Sequence, residues 1–549
     1  MNKPTNFKAN ISYNGTNYSF SEKFENDDFA ARLYASDDGV QLEIEPHREV
    51  SFDKIYIEAD ILLKLEEKLF LNGYQSWTDS RELSLNARMR GLIGIPRSVI
   101  HKYSFDRYGD YNFTNYSTHA GELHGYTYGY LRDKWTYTLF GSLSERNGYT
   151  VIYTSFDDQK IVFEKDCDGV TFSEPETLMD IAVLEGEETE VFDKYFELMG
   201  VPAPTAKPIS GYTSWYNHYQ DIDEFNLMHD LASMCRNDPE TEIFQIDDGY
   251  QRAVGDWLDI DGMKFPEGIK KIADTIHDHG LKAGLWLAPF VCEENSEIYR
   301  EHKGWLLRGT DGDPMKAGCN WSGSYALDLY NPEVREYLRH VFDVILNDWG
   351  FDLVKLDFLY AVCMIPQNGK SRGQVMCEAM DFLRECVGDK LILACGIPLA
   401  PAFGVADYCR IGCDVGLDWN DNAVMRMTHR ERVSTKHSMY NTVYRRQLNG
   451  RAFLNDPDVF LLRDENMQMY NCQRQSLAAI NHIFGSVFFT SDDMDEYGVR
   501  QHKTLRTVRS LRDAKVSSVD TEGNTIVITL ENNGKSKTFR LLSDGRLTN

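Results

Sequence analysis

A repeated switch between strand and helix periodicity, from about residue 210 to about residue 492, constrains this 549-residue chain more than any other feature. Short apolar runs at 210–216, 243–248, 282–289, 353–359, 391–396, 408–414, 452–456 and 487–492 read as buried strands. Helical spacing separates most of them, over 224–236, 268–279, 333–348, 374–386, 423–448 and 466–484. Eight strand–helix units in about 300 residues predict a (β/α)₈ barrel, with polar chemistry at the C-terminal strand ends. A doubly wound open sheet is the alternative, weakened because no Gly-rich phosphate turn follows the first strand.

The flanks have a different grain. Residues 1–200 hold short alternating runs split by turn signals such as Asn14-Gly15 and Asp38-Gly39, which predict an all-β sandwich. One loop there, Asn72-Gly73-Tyr74-Gln75-Ser76-Trp77, carries an aromatic suited either to a core or to a ligand wall. Three prolines within Val201-Pro202-Ala203-Pro204-Thr205-Ala206-Lys207-Pro208 mark the boundary to the barrel, 201–512. Residues 513–549 read as a short β domain, with a hairpin turn at Asn532-Asn533-Gly534.

With 85 acidic against 58 basic residues the net charge is −27, which disfavours nucleic acid and anionic membrane surfaces. No window is long and apolar enough to span a membrane, and the N-terminus has no apolar signal region. Eleven cysteines, an odd number with no C-x-x-C spacing, suit reduced thiols in a cytoplasm rather than disulfides or a zinc site.

The chemistry is concentrated at the predicted strand ends. Strand two ends in Asp247-Asp248, strand three carries Trp286, strand four Lys355 and Asp357, and strand six Arg410 and Asp414. Strands seven and eight end in Asn455-Asp456 and Ser491-Asp492-Asp493. A single acid at such a place caps the next helix; a set of them with tryptophans predicts a site. Alternation would put Lys355 and Asp357 on one face, where the ammonium favours the ionised carboxylate that a nucleophile needs. No metalloprotease, phosphate-loop, serine-elbow or dinucleotide motif is present. The histidines His218, His277, His279 and His437 lack ligand spacing and read as surface or core residues. Clustered carboxylates can hold a divalent metal, but Lys355 and Arg410 would bring positive charge to the same place. Acids with aromatic platforms fit a sugar pocket better, with no cofactor and no metal. Asp357 and Asp414 would then be the working pair of a glycosidase, Asp414 the acid in its partly apolar setting and Arg410 the neighbour that bears on it.

These residues resemble the retaining α-galactosidases of glycoside hydrolase family 36. The resemblance runs collinearly from the Asn72–Trp77 loop to Leu454-Asn455-Asp456-Pro457-Asp458. It is most specific at Phe244-Gln245-Ile246-Asp247-Asp248-Gly249-Tyr250, Lys355-Leu356-Asp357-Phe358-Leu359 and Arg410-Ile411-Gly412-Cys413-Asp414. It implies an N-terminal β-supersandwich, a catalytic (β/α)₈ barrel and a small C-terminal β domain. It further implies Asp357 as nucleophile, Asp414 as acid/base, and Asp247 and Asp248 on galactose hydroxyls. Trp286 would pack on the ring, Lys355 and Arg410 would hold hydroxyls, Trp77 would reach in from the β domain, and Cys395 would lie near O2. The implied activity is release of terminal α-linked galactose from melibiose- or raffinose-type sugars, by an enzyme to which homo-oligomerisation is open. A basic residue expected near Cys319 is absent. An N-acetylgalactosaminidase, another α-glycosidase on this fold, and a non-catalytic sugar-binding protein therefore stay open as alternatives.

Overall fold

The computed structural model describes residues 3–532 and 534–548. Its centre is an eight-stranded parallel sheet: β1 (Ile209–Thr213), β2 (Ile243–Ile246), β3 (Lys282–Leu287), β4 (Leu353–Leu356), β5 (Leu391–Ala394), β6 (Tyr408–Arg410), β7 (Leu454–Asp456) and β8 (Val487–Thr490). Neighbours in sequence are neighbours in the sheet, and β8 returns to pair with β1. Across the remaining seam, between β7 and β8, the Ser486 N–H donates to the Asn455 carbonyl at 2.9 Å. The sheet is thus a nearly closed barrel, as the sequence periodicity requires. No open crevice of the doubly wound kind remains.

Among the described residues seven α-helices of ten or more residues surround it: α1 (Glu224–Asn237), α2 (Ile269–Asp278), α3 (Pro332–Asp343), α4 (Arg372–Val387), α5 (Thr435–Tyr444), α6 (Asn471–Phe484) and α7 (Val499–Arg509). Their starts are written locally. Asp223 with Asn226, and Ser371 with Gln374, close capping boxes, while Asn331-Pro332 and Ser434 cap α3 and α5. Two departures from the expected pattern matter. The unit after β5 has no α-helix: Pro398 and Pro401 break the connection, and a short 3-10 turn at Ala400–Ala402 stands in its place. The helix expected over 423–448 begins only at Thr435; residues before it form an irregular segment with one 3-10 turn, Met425–Thr428. Those residues are committed elsewhere, to the cavity wall and to the β domain.

Seven of the eight strands end two to four residues before the sequence suggests, β4 at Leu356 rather than 359 and β6 at Arg410 rather than 414. Ladder pairing stops where the chain turns to present side chains to the barrel mouth. The acids therefore stand just beyond the strands.

The N-terminal region is a pair of facing antiparallel sheets, six- and eight-stranded, with an apolar layer of Phe, Ile and Leu side chains between them. The outer face of the larger sheet carries Phe70, Tyr128 and Tyr130, which join helix Glu188–Met199 in a core continuous with that of the barrel. The Trp77 loop leaves this sheet directly after the strand Lys68–Leu71. A four-stranded antiparallel sheet begins at Lys515. In it Thr525–Asn532 pairs with Lys535–Leu541, although Asn533 of the expected turn lies outside the described residues. All eleven cysteines are unpaired. Among the described residues no helix is long and apolar enough to cross a membrane.

Candidate active site

A cavity of about 450 Å³ opens at the C-terminal ends of the barrel strands, within the size range of small-molecule sites. Seven of the nine residues singled out from the sequence line it: Trp77, Asp247, Asp248, Trp286, Lys355, Asp357 and Asp414. Cys395 and Arg410 stand behind its wall.

Asp247 and Asp248 follow β2. Asp247 accepts from the Lys355 ammonium at 2.8 Å, the Gln245 amide at 2.9 Å and the Thr213 hydroxyl at 3.2 Å. The hydrogen-bonding partner of Lys355 is thus Asp247, while Asp357 lines the same cavity and feels the ammonium through space, which favours its ionised form as expected. Asp357 lies beyond the end of β4, so strand alternation does not extend to it. Burial works against the Lys355 ammonium, yet the Asp247 carboxylate overcomes it and leaves the lysine pKa raised. Asp248 accepts from Gln251 (2.6 Å), Trp321 (2.8 Å) and Gln220 (2.9 Å). Burial pushes its carboxyl up to about 6 against the pull of those bonds.

Asp357 is bonded by the Trp286 indole N–H at 3.2 Å and by the N–H of Phe358 at 2.8 Å. Phe358 has φ 52°, a left-handed conformation rare for a bulky residue and of the kind found at functional sites. Burial raises the Asp357 pKa and the charge of Asp414 adds to the rise; Lys355 and the nearby Cys395 thiol oppose it without cancelling it. Lys355 thus favours the ionised carboxylate, and burial opposes it. Cys395 is itself buried, and burial keeps it a thiol.

Arg410, 3% exposed at its side chain, spreads its guanidinium over three carboxylates: Asp414 at 2.8 Å, Asp458 at 3.0 Å and Asp456 at 3.2 Å. It braces Asp414 from behind and does not line the cavity. The Asp414 side chain is 49% exposed, so the apolar setting suggested by its sequence neighbours is replaced by an open carboxylate on a buried arginine. The strand-eight acids lie outside the site. Asp492 accepts from the backbone of Leu462 and Arg463, and Asp493 caps the turn that follows it. None of the four histidines lines the cavity: His218 bonds Asp230, His277 bonds Asp352, His279 bonds the Thr275 carbonyl, and His437 lies 3.5 Å from Asp79.

A belt of aromatics runs round the mouth, with Trp286–Trp321, Trp321–Phe358 and Phe358–Trp77 centroids 6.1, 5.0 and 5.4 Å apart. Such faces cover apolar C–H surface, while the acids between them accept from hydroxyls.

The melibiase family model matches residues 203–382, from the proline-rich linker through most of α4. The α-galactosidase of Thermus thermophilus, solved with p-nitrophenyl α-D-galactopyranoside, superposes with TM-score 0.73 at 25% identity, covering 96% of this chain and 98% of that one. The same protein with stachyose gives 0.70 at 26% identity, covering 91% and 99%. Residues 203–382 are thus similar to the melibiases, and the fold of the whole chain is that of the Thermus thermophilus α-galactosidase. Alpha-galactosidase 1 of Pediococcus pentosaceus is 29% identical over 140 residues, 23% of this chain and 18% of its own length. An A type blood α-D-galactosamine galactosaminidase of Flavonifractor plautii is 32% identical over 144 residues, 24% and 13%. The chain thus matches less than a fifth of the length of these two curated relatives.

Several cavity residues were not singled out from the sequence. Trp321 and Gln220 reach Asp248, and Tyr108 and Glu431 come from the β domain and the irregular segment before α5. Trp321 had a signal, a lone tryptophan in the polar turn Cys319-Asn320-Trp321-Ser322-Gly323. For Tyr108 and Glu431 no local pattern distinguishes them, because only the docking of two distant segments brings them together.

Proposed function

We propose that this protein is a retaining exo-α-galactosidase working by double displacement, with Asp357 as nucleophile and Asp414 as acid/base. The observation that carries the reading is the placement of both aspartates in one cavity lined by tryptophans and by the hydrogen-bonded acids Asp247 and Asp248. In the first step Asp357 attacks C1 from the β face while Asp414 gives its proton to the glycosidic oxygen; the C1–O bond breaks and the aglycone leaves as an alcohol. Asp414, now a carboxylate on Arg410, takes a proton from water, whose oxygen displaces Asp357 and releases α-galactose. Asp247 and Asp248 accept from sugar hydroxyls, Trp286 and Trp77 cover the ring, and Lys355 holds Asp247 in place. Arg410 orients Asp414, and the Cys395 thiol stands near Asp357. The reading includes the division at 200 and 512 into sandwich, barrel and C-terminal β domain. It also includes a cytoplasmic setting away from membranes, supported by the unpaired cysteines and the −27 charge.

A second reading, an α-N-acetylgalactosaminidase, is favoured by Cys319, a short exposed side chain that lines the cavity where a longer basic one was expected. Hydrolysis of p-nitrophenyl α-galactoside against its N-acetylgalactosamine counterpart separates the two. We expect the galactoside to turn over with the higher kcat/KM. Preference for the acetamido sugar supports the second reading, and galactose binding without turnover of either substrate supports a binding protein.

A further inference from the structure

The loop that carries Trp77 is held by a buried cation that makes no ion pair among the described residues. Arg445, just past the C-terminal end of α5, is fully buried. Its guanidinium directs all five of its N–H bonds to neutral oxygens. Nε donates to Asn72 Oδ1 at 3.0 Å, Nη1 to the carbonyls of Ser76 at 2.6 Å and Ile411 at 2.8 Å, and Nη2 to those of Gln75 at 2.9 Å and Gly73 at 3.4 Å. The next residue, Arg446, pairs with Glu188, whereas Arg445 makes no ion pair among the described residues. Burial pulls its pKa down to about 10. An unpaired buried guanidinium is a costly way to fill space, and an apolar chain of similar length fills it with less penalty. What only arginine supplies is a flat fork of donors able to gather several carbonyls at once.

The identity of those oxygens points to a role. Four belong to residues 72–76, immediately ahead of Trp77, and the fifth belongs to Ile411, between Arg410 and Asp414. Helix α5 itself grips the loop on the far side of Trp77: the Asn441 amide donates to the Thr78 carbonyl at 3.1 Å and accepts from the Ser80 N–H at 2.8 Å. Trp77 is thus bracketed by a contact from α5 and one from the residue that follows it, and the latter also touches the stretch that leads to Asp414.

We propose that Arg445 is a positioning residue that fixes Trp77 as a wall of the sugar pocket and ties that wall to the Asp414 end of β6. The kinetic part of this proposal rests on the galactosidase reading; the structural part does not. Arg445→Lys keeps the charge but offers three donors, so it cannot reach all five oxygens. Amide hydrogen exchange over residues 72–78 is expected to quicken by about tenfold or more, with the barrel strands unchanged. With p-nitrophenyl α-galactoside we expect KM to rise by about tenfold at nearly constant kcat. In a Trp77→Ala background the same change should add almost nothing to KM, because its effect passes through that side chain. Unchanged exchange at 72–78 overturns the proposal, as does loosening spread evenly through the barrel or a KM effect that persists in full without Trp77. Should Arg445→Lys not fold, Asn72→Ala, which removes one acceptor of the five, is expected to move exchange and KM in the same directions by less. A wild-type protein inactive on every α-galactoside defeats the galactosidase reading, and the exchange measurement still decides whether Arg445 holds the loop.

Discussion

At the scale of single residues the site is governed by how far burial is offset by hydrogen bonds. Asp248 shows this most clearly, with three donors on a carboxylate that burial still lifts to about 6. A hydroxyl-binding acid is most useful ionised, so its folded pKa sets a limit on the acid side. Because the pKa is raised, binding weakens as pH falls through about 6 rather than near the ordinary carboxylate value of about 4. The raised pKa of Asp357, the proposed nucleophile, acts in the same direction. We therefore predict an acid limb of kcat/KM near pH 6. Trp321→Phe removes a donor that favours the charged form of Asp248, so the limb should move to higher pH by about half to one unit. A limb that stays in place, or moves down, in a pH–rate profile of this variant means that Asp248 does not control it.

At the scale of elements the site depends on connections more than on strands. Gly396, just past β5, has φ 57°, and a Cβ there would stand 2.8 Å from the Trp77 ring and 3.0 Å from the Phe358 nitrogen. Gly396→Ala therefore strains the backbone and pushes on two aromatic walls together. We expect a loss of about 1–3 kcal/mol in unfolding free energy and a higher KM, measured by denaturant titration and steady-state kinetics. Unchanged values of both would show that the Trp77 loop yields freely. The same contrast explains what the sequence disclosed. The barrel strands were legible because each is a buried apolar run, and Asp247, Asp248, Asp357 and Asp414 because each follows such a run closely. The partner of Lys355 was not legible, since it depends on β4 ending at Leu356 and on the left-handed turn at Phe358. Nor was the irregular run before α5: residues 423–434 have helical spacing, but Arg430 donates to the His124 carbonyl and Thr428 accepts from Tyr111, contacts that only the neighbouring β domain supplies.

At the scale of the whole molecule, the β domain contributes a wall of the cavity and the barrel its acids. The core that begins on the outer face of the larger sheet continues into the barrel, so the Trp77 loop enters as part of a shared packing unit. Against that frame the central claim is the division of labour between Asp357 and Asp414, two carboxyls expected about 5–5.5 Å apart in a retaining enzyme. Azide rescue with an activated aryl α-galactoside tests it most directly. In Asp357→Gly the β face is vacated, and azide attacking there displaces the α leaving group to give a β-galactosyl azide. In Asp414→Ala the covalent intermediate still forms with a good leaving group, and azide attacking it from the α face gives an α-galactosyl azide. The two anomers differ in their proton coupling at C1. The account predicts the β-azide from Asp357→Gly and the α-azide from Asp414→Ala; the opposite pairing, or turnover unaffected by either substitution, contradicts it.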